Sequence, residues 1–163
     1  GVAEQMCVAA RTAPKACGID HLVIGLLTEQ EDLERLADAV EAFGRKIEAP
    51  FFVRDAGNLR QAQACVLLGT RLRRMGIPGC NLCGFAGCAA NEAAGARCAF
   101  NLGDLGIALG SAVSVAADHR VDCRIMYTLG RVAVEQGLLG PEVAVAHGIP
   151  LSATGKNPFF DRK

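Results

Sequence analysis

Apolar positions along this chain recur in two ways. In some segments they return every three or four residues, as on one face of a helix; in others they run uninterrupted for five to seven residues, as in a buried strand. Val2, Met6 and Ala9 or Ala10 share a face and predict a helix over 2–11, broken by Pro14 and Gly18. Leu33, Leu36, Ala37, Val40 and Phe43 predict a second, with Glu34, Arg35, Asp38 and Glu41 on the opposite face. Thr28 and Glu31 have the spacing of a capping box at its start, and Pro50 closes the unit. Apolar runs at 21–27, 64–69 and 142–147 predict three buried strands. A short helix is expected over 58–64. Asp104 is placed to cap a helix through 117, and Asp118 or Asp122 to start another. That last helix would carry Val121, Ile125, Met126, Leu129, Val132 and Ala133 inward and end before Gly137. Residues 76–97 are a Gly- and Ala-rich loop, and the tail 155–162 is a loop whose phenylalanines must dock. The mixture predicts an α+β fold, a small central sheet flanked by helices, in a single domain over 1–163.

Composition narrows the functional classes. Hydrophobic residues make up 51% of the 163, so the chain has a core to bury. The formal net charge is +0, which argues against a nucleic-acid track or an anionic membrane surface as partner. Aromatics are 5% with no Trp, so no platform for stacked bases is expected. The apolar stretch 105–117 is shorter than the roughly 20 residues a bilayer requires. With no signal segment in the sequence as given, the eight cysteines point to metal or redox chemistry in a cytoplasmic protein rather than to disulfides.

Four of those cysteines carry the chemistry. Cys80, Cys83, Cys88 and Cys98 form a C-x2-C-x4-C-x9-C pattern. Thiolates are soft ligands that select iron–sulfur clusters, zinc or Cu(I). Gly79, Gly84 and Gly87 let the backbone curl tightly around a centre. A [4Fe-4S] cluster takes four such thiolates, and 76–98 reads as an inserted cluster-binding loop. Arg97, next to Cys98, would offset part of the cluster's negative charge. A structural zinc site is the alternative, although such sites usually pair two C-x2-C knuckles and only one is present. Cys7, Cys65 and Cys123 read as buried, unliganded thiols, with Cys65 or Cys123 as the alternative to Cys98 for the fourth ligand.

The cysteine pattern resembles that of [4Fe-4S] domains in corrinoid and electron-transfer proteins. Further motifs are Met6-Cys-Val-Ala-Ala-Arg-Thr-Ala-Pro-Lys15, Arg54-Asp55, Asp104-Leu-Gly-Ile-Ala-Leu-Gly-Ser-Ala-Val113, Asp122-x-Arg124-Ile-Met-Tyr-Thr128 and Lys156-Asn-Pro-Phe-Phe-Asp-Arg162. Together they resemble, over nearly the whole chain, an uncharacterised prokaryotic family described as containing a ferredoxin domain. The resemblance implies an iron–sulfur protein of anaerobes and archaea, and brings no reaction or substrate with it.

A weaker resemblance, in the order of elements and the turn after the first helix, is to flavin nitroreductases. It implies FMN, with Arg11 and Lys15 as the positions that would grip the flavin phosphate. The departures are the missing Arg-rich R-x-S-x-R signature and a cysteine loop in place of the segment before the central helix. Within 104–117, Gly106, Gly110 and Ser114 form one small-residue stripe and Ala108, Ala112 and Ala116 another. They suit either a core helix or a homodimer or cofactor contact. His21, His119 and His147 are isolated and read as structural. Arg54, Asp55 and Asn58, and separately Asp122, Arg124, Lys156, Asp161 and Arg162, are expected to form ion pairs or to line a pocket. No G-x-G-x-x-G is present. The chain thus reads as a homodimeric electron-transfer protein or small redox enzyme with a [4Fe-4S] cluster, served by a redox partner protein. The alternatives are a flavin-dependent oxidoreductase with an added cluster, or a zinc-stabilised interaction module.

Overall fold

A computed structural model describes residues 1–160. Four strands, β1 (Leu22–Leu27), β2 (Ala64–Arg71), β3 (Asp122–Cys123) and β4 (Val143–Ser152), form one antiparallel sheet in the order β1-β2-β4-β3. Helices α1 (Val2–Thr12), α2 (Gln30–Lys46), α3 (Pro50–Arg60), α4 (Cys88–Ala93), α5 (Ala99–Asp118) and α6 (Tyr127–Glu135) surround it. Side chains of a strand alternate between faces, and β2 shows the consequence. Val66 and Leu68 pack with Met6, Leu105, Ala108, Ala112 and Ile149 under α1 and α5. Cys65 and Leu67 pack with Leu33, Val40, Phe52, Leu59 and Leu129 under α2, α3 and α6. Both faces of the sheet are therefore covered, which explains why its strands read as continuous apolar runs.

The tightest approach between layers is at Gly130. A Cβ there would lie 2.0 Å from the carbonyl oxygen of Ala146, so only glycine lets α6 rest on β4. Gly148 performs the same service where Leu129 crosses the strand, its missing Cβ standing 2.6 Å from that of Leu129.

Several boundaries differ from expectation for identifiable reasons. Pro50 opens α3 as its first residue instead of ending a unit, because a proline at N1 lacks only an N–H that would be unpaired anyway. The short helix expected over 58–64 is thus the end of α3, and 64 already belongs to β2. Glu29, not Thr28, is the N-cap of α2, and the Thr28 hydroxyl donates to Glu29. Asp104 lies inside α5, which begins five residues earlier; its carboxylate instead accepts the Ala16 N–H at 3.0 Å. The helix expected from Asp118 or Asp122 is divided into β3 and α6. β4 runs past His147 to Ser152, through Gly148 and Pro150.

The tail docks as its aromatics require: Phe159 is buried, and Arg124 donates to its carbonyl at 3.1 Å while lying 5.2 Å above the Phe160 ring. Asn157 donates to Asp122 at 2.9 Å. Asp161 and Arg162 lie outside the described residues. By length and composition alone α5 could cross a bilayer, in contrast to the shorter stretch counted in the sequence. Here it buries Leu105, Ala108, Leu109, Ala112 and Ala116 against α1 and the sheet.

Candidate metal centre on the cysteine loop

The chain leaves β2 at Arg71 and returns to regular structure for good at α5. Arg71 and Arg73 pair with Glu142, at 3.3 and 2.5 Å, and fasten the start of this excursion to the foot of β4. Asn101, fully buried in the first turn of α5, accepts the Arg73 N–H at 3.0 Å. Between these anchors Gly76, Gly79, Gly84 and Gly87 all adopt positive φ, from +64° to +88°. A residue with a Cβ would resist that conformation, so these glycines let the loop double back on itself.

The result is that Cys80, Cys83, Cys88 and Cys98 line one pocket, together with Arg74, Met75, Ile77 and Phe100. Cys88 starts α4 and Cys98 is the N-cap of α5, so two of the four are set by helix starts and two by turns. All four are partly exposed free thiols. The space among them is small, about 20 Å³. A broad depression of about 500 Å³ on the loop's outer side shares Ile77, Cys80, Gly87 and Cys88 with it. Among the described residues no three His, Cys, Asp or Glu side chains converge as the ligands of a single metal ion would.

Asn91 holds the loop's two ends together. It is 1% exposed; its Oδ1 accepts from Arg74 Nε at 3.1 Å, and its Nδ2 donates to the Arg97 carbonyl at 2.9 Å. Arg74 also pairs with Glu92 at 3.2 Å. Sequence reasoning passed over Asn91 because a lone Asn in an Ala-rich segment belongs to no spacing pattern; its value comes from contacts 17 and 6 residues away.

The other candidates lie apart. Arg11 donates to Asp20 at 2.6 Å and to the Leu22 carbonyl at 2.9 Å. Lys15 turns its ammonium onto the carbonyls of Ala10, Arg11 and Ala13 at the end of α1. Both cations thus brace the turn from α1 into β1. Asp20 is held below the usual carboxylate range by Arg11 and by the Leu22 N–H, against the opposing effect of its partial burial. Cys65 is buried in β2, and its thiol is pushed up to about 12 by burial. Burial likewise raises the half-buried Cys7 and Cys123. None of these three lines the pocket. Asp55 forms an ion pair with Arg54 at 2.8 Å and accepts from Thr128 at 2.7 Å, a structural role.

The family described as "Uncharacterized protein containing a ferredoxin domain (DUF2148)" matches residues 94–162, a segment that includes Cys98 and starts after Cys88. An uncharacterized protein of Archaeoglobus fulgidus is 40% identical over 165 residues, spanning 96% of this chain and 88% of that protein. The chain belongs to this ferredoxin-domain family. Among solved structures, this family member is similar to a putative NADH dehydrogenase/NAD(P)H nitroreductase of Bacteroides thetaiotaomicron. The TM-score is 0.61 at 14% identity, over 99% of this chain and 79% of that one. It is also similar to an FMN-dependent nitroreductase of Clostridium difficile, with a TM-score of 0.60 at 13% identity, over 95% and 76% of the two chains. At such identities the likeness shows the fold: the ferredoxin-domain protein has the α+β architecture of the nitroreductases, with a cysteine loop between β2 and α5.

Proposed function

We propose that this protein holds a [4Fe-4S] cluster on Cys80, Cys83, Cys88 and Cys98 and uses it to transfer electrons, as a carrier or within a small cytoplasmic redox enzyme, in exchange with a redox partner protein. The observation that carries the reading is that four thiols spread over 19 residues line one pocket, although Cys98 belongs to a different helix from Cys88. The donor set suits the group, since such clusters take four thiolates. A structural zinc site with four thiolates usually pairs two C-x2-C knuckles, and only Cys80–Cys83 has that spacing here. Arg74, in the pocket wall, and the N-terminal end of α5 both place positive potential beside a net anionic cluster.

The test is the iron, acid-labile sulfide, zinc and flavin content of protein purified without oxygen. About four iron and four sulfide per chain are expected. Zinc without sulfide would replace this reading with a structural metal module. Cys83→Ser should abolish loading and Cys7→Ser should not; equal loss in both would reject the ligand set.

A second reading is favoured by the fold. A flavin would make the protein a nitroreductase-like oxidoreductase with an added cluster, its FMN phosphate reached by Arg11 and Lys15 once they release their present partners. The outward face of α5 supports a homodimer. A Cβ on Gly103, Gly106 or Gly110 meets nothing within 4 Å, so nothing inside the monomer requires glycine there. Leu102 and Ile107 are exposed beside them.

A further inference from the structure

We propose that the cleft between the end of the cysteine loop and α6, lined by Arg97, Tyr127, Arg131, Val134, Ala144 and Ala146, binds a small organic anion: a carboxylate or phosphate carried on an apolar body. The cleft measures about 460 Å³, within the range of roughly 300–1,000 Å³ typical of small-molecule sites. Its charge is unbalanced. Arg71 and Arg73 share Glu142, and Arg74 pairs with Glu92, so each has a carboxylate partner. Arg97, by contrast, is exposed, and its guanidinium makes no ion pair or hydrogen bond among the described residues. Arg131 pairs with Glu135 at 2.9 Å and lies 5.1 Å above the Phe43 ring. Two guanidinium groups thus meet one carboxylate. The Tyr127 phenol, 55% exposed, has no hydrogen-bond partner among the described residues, and its ring is steadied by an edge contact to Phe52 at 6.0 Å.

The floor adds a further donor. Gly148 exchanges both backbone hydrogen bonds with Met126, on the side of β4 away from β2. Two residues earlier, Ala146 directs its N–H and C=O to that same outer side, where β3 does not reach. The Ala146 carbonyl is pressed against Gly130, which leaves the N–H. Guanidinium, phenol and peptide N–H above an apolar base of Val134 and Ala144 are the groups that recognise an oxyanion attached to something greasy.

Arg97 precedes Cys98, so the ligand would rest beside the cluster proposed above; binding itself requires no cluster, and the test reads affinity alone. Isothermal calorimetry on the purified protein would use benzoate, phenyl phosphate, uncharged benzamide, inorganic phosphate and a glutamate-rich peptide. Saturable one-to-one binding of benzoate, of phenyl phosphate or of both supports the site, and the stronger of the two identifies the oxyanion. Benzamide and inorganic phosphate should each bind at least about tenfold more weakly, lacking charge or body. Arg97→Gln should weaken binding about tenfold or more and Tyr127→Phe a few-fold. Arg120→Gln, an exposed guanidinium outside the cleft, should have no effect. Cys83→Ser, which should lack the cluster, keeps the affinity if the cleft is an independent site, so a failed cluster and a failed cleft give different results. No saturable binding of either aromatic anion, undiminished binding by Arg97→Gln, or binding of the peptide alone would overturn the proposal.

Discussion

Asn91 donates from Nδ2 to the carbonyl of Arg97 at 2.9 Å, and so ties the first turn of α4 to the residue before Cys98. Its Oδ1 takes Arg74 Nε at 3.1 Å, and the side chain is buried. One carboxamide therefore fixes both ends of the segment that carries the four cysteines. Asn91→Leu removes both bonds and leaves a partly buried carbonyl and a guanidinium N–H without their protein partner, at a cost of up to about 1–3 kcal/mol. We expect a lower melting temperature. Under the cluster reading, cluster occupancy should fall more steeply than stability, because the ligands lose their common frame. Anaerobic iron and sulfide content measured beside thermal unfolding checks this; unchanged loading in a destabilised variant would limit Asn91 to folding.

Cys65 provides a pH test. Its thiol is pushed up to about 12 by burial in β2, against an ordinary value near 8.5 in the unfolded chain. Between those values the unfolded chain has lost the proton and the folded chain has kept it, so the unfolded state binds fewer protons and stability falls as pH rises. The contribution is whole below about pH 8.5 and is lost through the window up to about 12, with a slope approaching 1.4 kcal/mol per pH unit. Cys65→Ala should flatten that alkaline decline while leaving cluster loading intact; Cys98→Ser should do the reverse. Iodoacetamide at pH 8.5 should spare Cys65 until the protein is unfolded, as mass spectrometry of peptides would show. Early labelling of Cys65 would contradict its burial.

The strands were legible because both faces of the sheet are covered: a run such as Val66-Leu-Leu68 can only be interior. The gathering of the four cysteines around one pocket was legible because three thiols in nine glycine-rich residues have few other uses. What escaped was decided by distant contacts or by a rule with two readings. Pro50 both ends and begins helices, and only the packing of Phe52 against Phe43, ring centroids 5.1 Å apart, shows which applies here. Asp104 has the chemistry of a cap, but Ala16, 88 residues away, claims its carboxylate. β3 is two residues long and exists only because β4 offers it an edge.

Gly130→Ala is expected to be among the most damaging single-methyl additions in the protein. The new Cβ would stand 2.0 Å from the Ala146 carbonyl oxygen, 2.2 Å from its carbon and 2.4 Å from the His147 Cα. All three are backbone atoms of a strand held by β2, so no side chain can rotate away. Overpacking of this kind costs typically 1–3 kcal/mol and occasionally more, and it exceeds the ordinary gain of about 1 kcal/mol from replacing a helical glycine by alanine. Chemical denaturation should show a lower midpoint; a variant as stable as the parent would mean that α6 can lift from β4 at no cost.

Gly106 presents the opposite case, and it tests the proposed homodimer. The position lies mid-helix in α5, and an added Cβ meets nothing within 4 Å. In a monomer, Gly106→Ala should therefore stabilise the fold by up to about 1 kcal/mol through helix propensity. If a second α5 packs on this face, Gly103, Gly106 and Gly110 are the places where the two backbones come closest. A bulky Gly106→Leu would then hold them apart. Light scattering coupled to gel filtration should find the parent at twice the chain mass and Gly106→Leu shifted toward the monomer, with helical content unchanged by circular dichroism. A monomeric parent, or a Gly106→Leu dimer of undiminished affinity, would show that the bare face of α5 meets something other than its own copy, and the cofactor contact would become the reason for these glycines.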